Sequence, residues 1–412
     1  MSSTLSRWET GSNRRAFLRT AALAATGTLF SRPGFPAESI ELPFENGRRA
    51  LVKYPGKREL ILLTSRPPQL ETPFAVFNEG ILTPNDAFFV RYHLARFYPE
   101  KVETASFRLE IKGNVKVPVS LSLADLQTKF EPVETTAVLQ CSGNSRGFFQ
   151  PRVAGGQLGN GAMGNARWKG VRLSQVLQAC GLGQGARQVV FNGLDLPVVE
   201  KTPDFVKALD LDQVMEGEIL LAWQMNGEDL PVLNGFPLRL VVPGYYGTYW
   251  VKHLNEITIV NEPFEGFWMN PAYRIPANEC ACVPPGTAPS KTIPIQRLNV
   301  RSFITSPASG SKLPRGREIP LRGVAFDGGY GIEEVLLSFN QGESWRQARL
   351  GPDQGRYSFR EWTAASTFVI PGNHEIKVRA VNRAGHTQPM KPLWNPAGYM
   401  RNVVETVNVL VS

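Results

Sequence analysis

The order of apolar and polar positions divides the chain into stretches of different period. Thr20 to Phe30 is a weakly apolar run of about ten residues, short of the roughly 18 that a membrane helix needs. From residue 38 to 73, Pro43, Pro55, Pro67 and Pro68 interrupt any regular repeat, so this arm is expected to run irregularly over a surface. From residue 74 to 283, short β-like runs at 107–111, 188–192, 237–242 and 256–260 alternate with helical patterns at 122–129 and 173–179, which predicts a mixed α+β domain. A cluster of Pro and Gly at 283–289 reads as a linker. Beyond it the period becomes two. In 375–381, Ile376, Val378 and Ala380 alternate with Lys377 and Arg379, the pattern of a half-buried strand. Residues 334–339 and 345–350, joined by Asn340-Gln341-Gly342, read as a hairpin. About seven such strands fit between residues 293 and 412, so the last domain is expected to be an all-β, immunoglobulin-like sandwich.

A chain of 412 residues exceeds what one hydrophobic core usually serves, in keeping with a leader over 1–37, an α+β domain with its arm over 38–286 and a sandwich over 290–412. The composition, 42% apolar and 20% charged, excludes a disordered chain or a coiled coil. A net charge of +9 would ordinarily suggest nucleic acid or an acidic membrane as partner, but Met1 to Pro36 carries five arginines against Glu9. Four of the nine excess charges therefore lie in the leader. There, Ser12-Asn13-Arg14-Arg15-Ala16-Phe17-Leu18-Arg19, followed by the apolar run, is similar to a twin-arginine export signal. That resemblance implies export of a folded protein to the periplasm with its cofactor already inserted. The mature chain is expected to be soluble, with no membrane span and no nucleic-acid partner.

Candidate chemistry is sparse. Cys141, Cys180, Cys280 and Cys282 form no CxxC, no haem attachment motif and no zinc knuckle. His93, His253, His374 and His386 lack the i, i+4 spacing of a helical metal site. Cys280 and Cys282 either pair or stay free. Cys141 stands apart: Val138-Leu139-Gln140 delivers it to the end of an expected strand, and a glycine-containing polar loop with Arg146 follows. Such a setting suits a soft metal ligand or a nucleophile, though a solitary cysteine after an apolar run is more often buried packing.

Gln140-Cys141-Ser142-Gly143-Asn144-Ser145-Arg146 resembles the cysteine loop of the sulfite oxidase family of molybdenum enzymes, and further motifs follow the family's order. They are Phe88-Phe89-Val90-Arg91-Tyr92-His93, Ala166-Arg167-Trp168-Lys169-Gly170, Asn234-Gly235-Phe236-Pro237-Leu238-Arg239, and Val242-Pro243-Gly244-Tyr245-Tyr246-Gly247 leading to Val251-Lys252-His253. Five weak motifs in one order make a strong match. The resemblance implies a molybdopterin-binding sulfite oxidase fold followed by the sandwich, which would mediate homodimerisation. It implies Cys141 as the protein's ligand to molybdenum, with the pterin supplying the other sulfurs. Arg239 and Lys252 match positions that anchor the anionic cofactor, and Phe89, Arg91, His93, Asp195, Asn234, Trp250 and Val251 align with other cofactor-contacting positions. Arg91 and Arg146 match pocket arginines, Trp168 a pocket-wall tryptophan, and Tyr273 a tyrosine near the reacting oxygen, with His93 beside them.

One departure concerns the substrate. Where many eukaryotic members have an arginine within Trp-Asn-x-Arg-Gly, this chain reads Trp394-Asn395-Pro396-Ala397-Gly398, so the loss of a cation is expected to weaken sulfite affinity or make room for a larger substrate, unless Arg401 or another group compensates. The expected activity is periplasmic oxidation of sulfite to sulfate, with electrons passed singly to an external acceptor such as a c-type cytochrome, since no haem of its own is expected. The alternatives are the catalytic subunit of a sulfane dehydrogenase and a periplasmic sulfoxide reductase.

Overall fold

The computed structural model describes residues 38–45, 47–94, 102–197 and 199–412; the arginine pair and apolar run of the leader lie outside them. The segment expected to be an irregular arm is instead a sheet. Strands Ser39–Glu41, Arg48–Lys53, Glu59–Ser65, Pro68–Glu71 and Val90–Arg91 pair antiparallel in sequence order. The prolines mark its turns: Pro55 falls between two strands, and Pro67 and Pro68 sit at the next reversal, where no ladder N–H is lost. Between them, Arg48–Lys53 and Glu59–Ser65 hold enough Leu, Ile and Val to pair, and Leu60, Leu70, Val90 and Tyr92 bury together with Leu233. This sheet carries Arg91 at its last strand.

Two further sheets build the α+β region. One orders Lys207–Asp210, Gln188–Gly193, Leu254–Val260, Leu109–Gly113 and Val119–Leu121, with a parallel pair at its centre. The other is built on Pro132–Gln140 and Met163–Arg172, with Leu220–Met225 pairing next to them and Arg239–Val241 beyond. The two expected helices form at Leu123–Lys129 and Leu173–Cys180. Ser122 caps the first by a reciprocal capping box with Asp125, and Gly181, at φ +68°, ends the second. The expected strands at 107–111 and 237–242 start two residues later than the apolar runs do, the second because Pro237 has no N–H to donate.

After the Pro/Gly stretch, Thr292–Pro294 pairs back with Arg274–Pro276, and nine strands in two sheets follow. Arg301–Ser306, Glu318–Phe326, Arg360–Thr367 and Arg349–Leu350 form one; Lys312–Leu313, Glu405–Val411, Gly372–Asn382, Ile332–Ser338 and Arg346–Gln347 form the other. Ile376, Val378 and Ala380 are fully buried as their alternation required, against Val335, Leu337 and Trp362. The expected hairpin closes only in part. Its second strand splits at buried Ala348, so Arg346–Gln347 stays with its partner while Arg349–Leu350 pairs in the opposite sheet, which accounts for one of the two strands beyond the expected seven. A third apolar cluster, including Tyr273, Ile295, Phe303 and Phe326, joins the two regions.

Candidate active site

The strand Pro132–Gln140 pairs residue for residue with Met163–Arg172, and its last four residues are buried, so the chain leaving it is held rigidly. Cys141 is next. Its N–H donates to Ala162 O (2.9 Å), its carbonyl accepts from Asn144 N–H (2.9 Å), and the Asn144 side chain accepts from Ala162 N–H (3.0 Å). Ser145 then takes a left-handed φ of +69°, which reverses the loop. Cys141 thereby lines a cavity together with Phe89, Arg91, His93, Asp195, Asn234, Arg239, Trp250, Lys252 and Tyr273, all expected at the site. Val251, Trp168 and Arg146 do not line it. Val251 is packed in the core. Trp168 is fully buried one layer behind, edge-on to Phe88 and Trp250, because its position faces inward on the strand Met163–Arg172.

One end of the cavity is cationic. Arg239 donates to Asn234 O (2.7 Å) and Trp250 O (3.3 Å), and its guanidinium lies 5.0 Å from the Trp168 ring centre and 5.7 Å from that of Trp250. Lys252 lies 3.7 Å over the Tyr92 ring and donates to Arg91 O. Gly235 (φ +114°) lets these two stems meet: a Cβ there would stand 3.1 Å from Arg239 Cβ and 3.2 Å from Lys252 Cβ. Asn234 is more constrained than the sequence suggested, because its amide donates to Phe89 O (3.1 Å) and accepts from Lys57 Nζ (2.5 Å). Lys57 is a buried lysine that sequence reasoning missed, since the segment bearing it read as a surface arm. His253 donates from Nδ1 to Phe236 O (2.6 Å) and accepts at Nε2 from the Tyr92 hydroxyl (2.7 Å), which fixes it neutral; burial holds it down at about 3.

Burial also lowers Arg239 to about 9 and pulls Lys252 down, against the raising effect of Asp195. Asp195 is pushed up by its own burial and lowered by Lys252. Three lining cations thus face one lining carboxylate.

The other end is aromatic. His93 stacks on Phe205 (3.9 Å, 10°), and its Nε2 meets the Tyr273 hydroxyl. Burial, then Arg91, Lys252 and Lys207, hold His93 well below its usual range, so the ring is neutral. Tyr273 adopts φ +56°, a costly conformation for a tyrosine, and burial pushes its phenol up. Lys207, which no motif marked, is 1% exposed, donates to Trp268 O, and stands 5.0 Å from the Tyr273 ring centre; burial brings it to about 7. Arg401 does not stand in for the missing arginine: it pairs with Glu405 (3.2 Å) over the Phe148 ring.

Among the described residues no three His, Cys, Asp or Glu side chains cluster as a metal site. The cavity offers a single thiol, so a metal held there needs most of its ligands from elsewhere, as a dithiolene-bearing cofactor provides. Ser142 Oγ, Thr248 Oγ1 and Arg239 Nε are buried without a hydrogen-bond partner, and all three residues line the cavity. Unspent donors and surplus cations around one thiol fit an anionic, metal-bearing organic group.

A cavity so equipped defines a molybdopterin oxidoreductase, and residues 96–268 match the oxidoreductase molybdopterin binding domain family while 292–412 match the Mo-co oxidoreductase dimerisation domain family. The chain is 34% identical over 366 residues to sulfite oxidase of Gallus gallus, covering 84% of this chain and 76% of that one. It is 33% identical to the mitochondrial sulfite oxidase of Homo sapiens (85% of this chain, 65% of that one) and 30% identical to the NAD(P)H nitrate reductase of Hordeum vulgare (86% and 41%). The sulfane dehydrogenase SoxCD of Paracoccus pantotrophus shares the fold, with a TM-score of 0.71, 23% identity, and coverage of 92% of this chain and 91% of that one. The chain belongs to the sulfite oxidase family of molybdenum enzymes, with molybdopterin as its cofactor.

Proposed function

We propose that the protein oxidises sulfite and water to sulfate, two protons and two electrons, and hands the electrons one at a time to an external acceptor such as a c-type cytochrome. The observation that carries this reading is the cavity itself: one thiol, Cys141, between a cationic end and an aromatic end that holds Arg91, His93 and Tyr273. When bound, the molybdenum cofactor supplies two-electron oxygen-atom transfer. Cys141 would hold its metal, while Arg239 and Lys252, with the unpartnered Ser142 and Thr248 hydroxyls, would hold its anionic portion. Arg91 would orient the substrate oxyanion through its guanidinium. Neutral His93 as its Nε2–H tautomer would donate to the Tyr273 phenol oxygen, which leaves the single phenol proton available for donation to a reacting oxygen.

The leader's resemblance to a twin-arginine signal supports a periplasmic location, and the dimerisation-domain match supports a homodimer. The strand order of the last two sheets supports an immunoglobulin-like sandwich for that region. A second reading, a sulfane dehydrogenase subunit acting on a larger sulfur substrate, is favoured by Ala397 and by the position of Arg146 outside the cavity lining. Sulfite-dependent reduction of ferricyanide and of cytochrome c, measured side by side on purified holoenzyme, tests the proposal: turnover with sulfite is expected. Turnover of a sulfane substrate alone would favour the second reading, and reduction of methyl sulfoxides without sulfite oxidation would overturn both.

A further inference from the structure

The loop that carries Ala397 is tied closely to the cysteine loop. Met400 N–H donates to Ser142 O (3.0 Å), one residue from Cys141, and Trp394 Nε1 donates to Pro151 O (2.9 Å). Between these ties, the Asn395 side chain accepts from Tyr399 N–H (3.1 Å) and donates to Tyr399 O (2.8 Å), so Tyr399 is pinned on both sides of its Cα. Its ring stacks on Tyr273 (5.3 Å between centres, 15° between planes), and the Arg146 guanidinium lies 4.9 Å from its ring centre.

Arg146 is built into that place. Its Nε donates to Ala397 O (3.0 Å) and its Nη1 to Gly156 O (3.3 Å). A Cβ on Gly143, Gly155 or Gly398 would come within 2.8, 3.1 or 2.9 Å of the arginine side chain, so the slot exists because three glycines line it.

We propose that Tyr399 is a positioning residue for the reacting end of the site: braced by Arg146, its ring holds Tyr273 in its left-handed conformation with the hydroxyl on His93. It also keeps the Arg146 charge behind an aromatic wall, so Arg91 is the guanidinium presented to the substrate. This rests on the reading of Arg91, His93 and Tyr273 as substrate-facing groups.

The test compares holoenzyme carrying Tyr399→Leu, which keeps bulk but loses the aromatic face, with Tyr399→Phe, which keeps the face. For Tyr399→Leu, kcat with sulfite should fall about 30-fold or more while KM changes by less than about fivefold, since misplacement of a reacting group by about 1 Å can cost about a hundredfold. Its crystal structure should show the Tyr273 hydroxyl displaced from His93. Tyr399→Phe, which keeps the face and loses only the hydroxyl's hydrogen bond to the Tyr273 backbone, should lose at least about threefold less kcat than Tyr399→Leu. Asn395→Ala, which frees the Tyr399 backbone without touching the cavity, should displace Tyr273 in the same direction with a smaller loss of kcat, and it decides the matter should Tyr399→Leu fail to fold. Full metal content, unchanged kcat and an unmoved Tyr273 in Tyr399→Leu or Asn395→Ala would overturn the inference. If the wild type does not turn over sulfite, the proposed function fails, and the crystallographic position of Tyr273 in the variants still decides the role of Tyr399.

Discussion

The two regions of this molecule bury different things. The interior of the C-terminal sheets is Trp362, Val335, Leu337, Ile376 and Val378, and Arg301, buried beside it, is paired with Glu405 at 2.7 Å. The catalytic region instead buries Lys57, Lys207 and Arg239 and half-buries Lys252, and none of these four has a carboxylate at salt-bridge distance among the described residues. Apolar burial stabilises a fold, whereas an unpaired buried cation costs stability unless a ligand compensates for it. The C-terminal core therefore serves folding, and the catalytic region, with Arg239 and Lys252 lining the cavity and Lys57 and Lys207 outside its lining, gives up stability.

Removing a cation and removing a core side chain should consequently have opposite signatures. The largest effect is expected for Lys252→Met: molybdenum content of purified protein should drop at least about tenfold, while the melting temperature of the metal-free form rises or stays level. Trp362→Ala should do the reverse. Loss of a fully buried tryptophan that also donates to Ser302 Oγ (3.0 Å) is expected to cost about 3–5 kcal/mol in denaturant unfolding, with metal content per folded chain unchanged. Lys207→Met should stabilise by about 1–2 kcal/mol, because it removes a buried charge, and lower kcat several-fold, because that charge lies beside the Tyr273 ring. A Lys207→Met variant that is both less stable and fully active would erase the distinction between the regions.

The smallest effect is in pH dependence. Lys57 and Lys207 are both brought to about 7 by burial, below their ordinary value of 10.5. Between about pH 7 and 10 the unfolded chain therefore binds more protons than the folded one, and stability rises with pH. The contribution is fully present above the unfolded value and is lost as pH falls through about 7. In Lys207→Met the slope of unfolding free energy over that window should shrink by up to about 1 kcal/mol per pH unit, measured by urea unfolding of the metal-free protein. An unchanged slope would mean that Lys207 is better solvated than its surroundings indicate.

The same contrast explains what the sequence made legible. The period-two pattern exposed Ile376, Val378 and Ala380 because a half-buried strand has to alternate, yet it could not reveal that one strand changes sheets at Ala348. In the catalytic region most lining residues were marked by local motifs, which record chemistry rather than periodicity. Lys57, Lys207 and Tyr399 carry no such mark: Lys57 and Lys207 meet Asn234 and Tyr273, both distant in sequence, and Tyr399, though held locally by Asn395, gains its role only through Tyr273 and Arg146. Arg146 and Trp168 were legible as members of the site, but not their layer, since a motif gives identity and spacing without depth. The N-terminal sheet was missed because its prolines were read as breaks when they mark turns between short strands.

In the proposed site a single protein thiol, Cys141, would hold the metal. Metal analysis of wild type and Cys141→Ser, both purified from a molybdenum-replete host and matched by circular dichroism, tests it most directly. Close to one molybdenum per chain is expected in wild type and less than about a tenth of that in the variant; equal metal in both, with sulfite turnover retained, would contradict it.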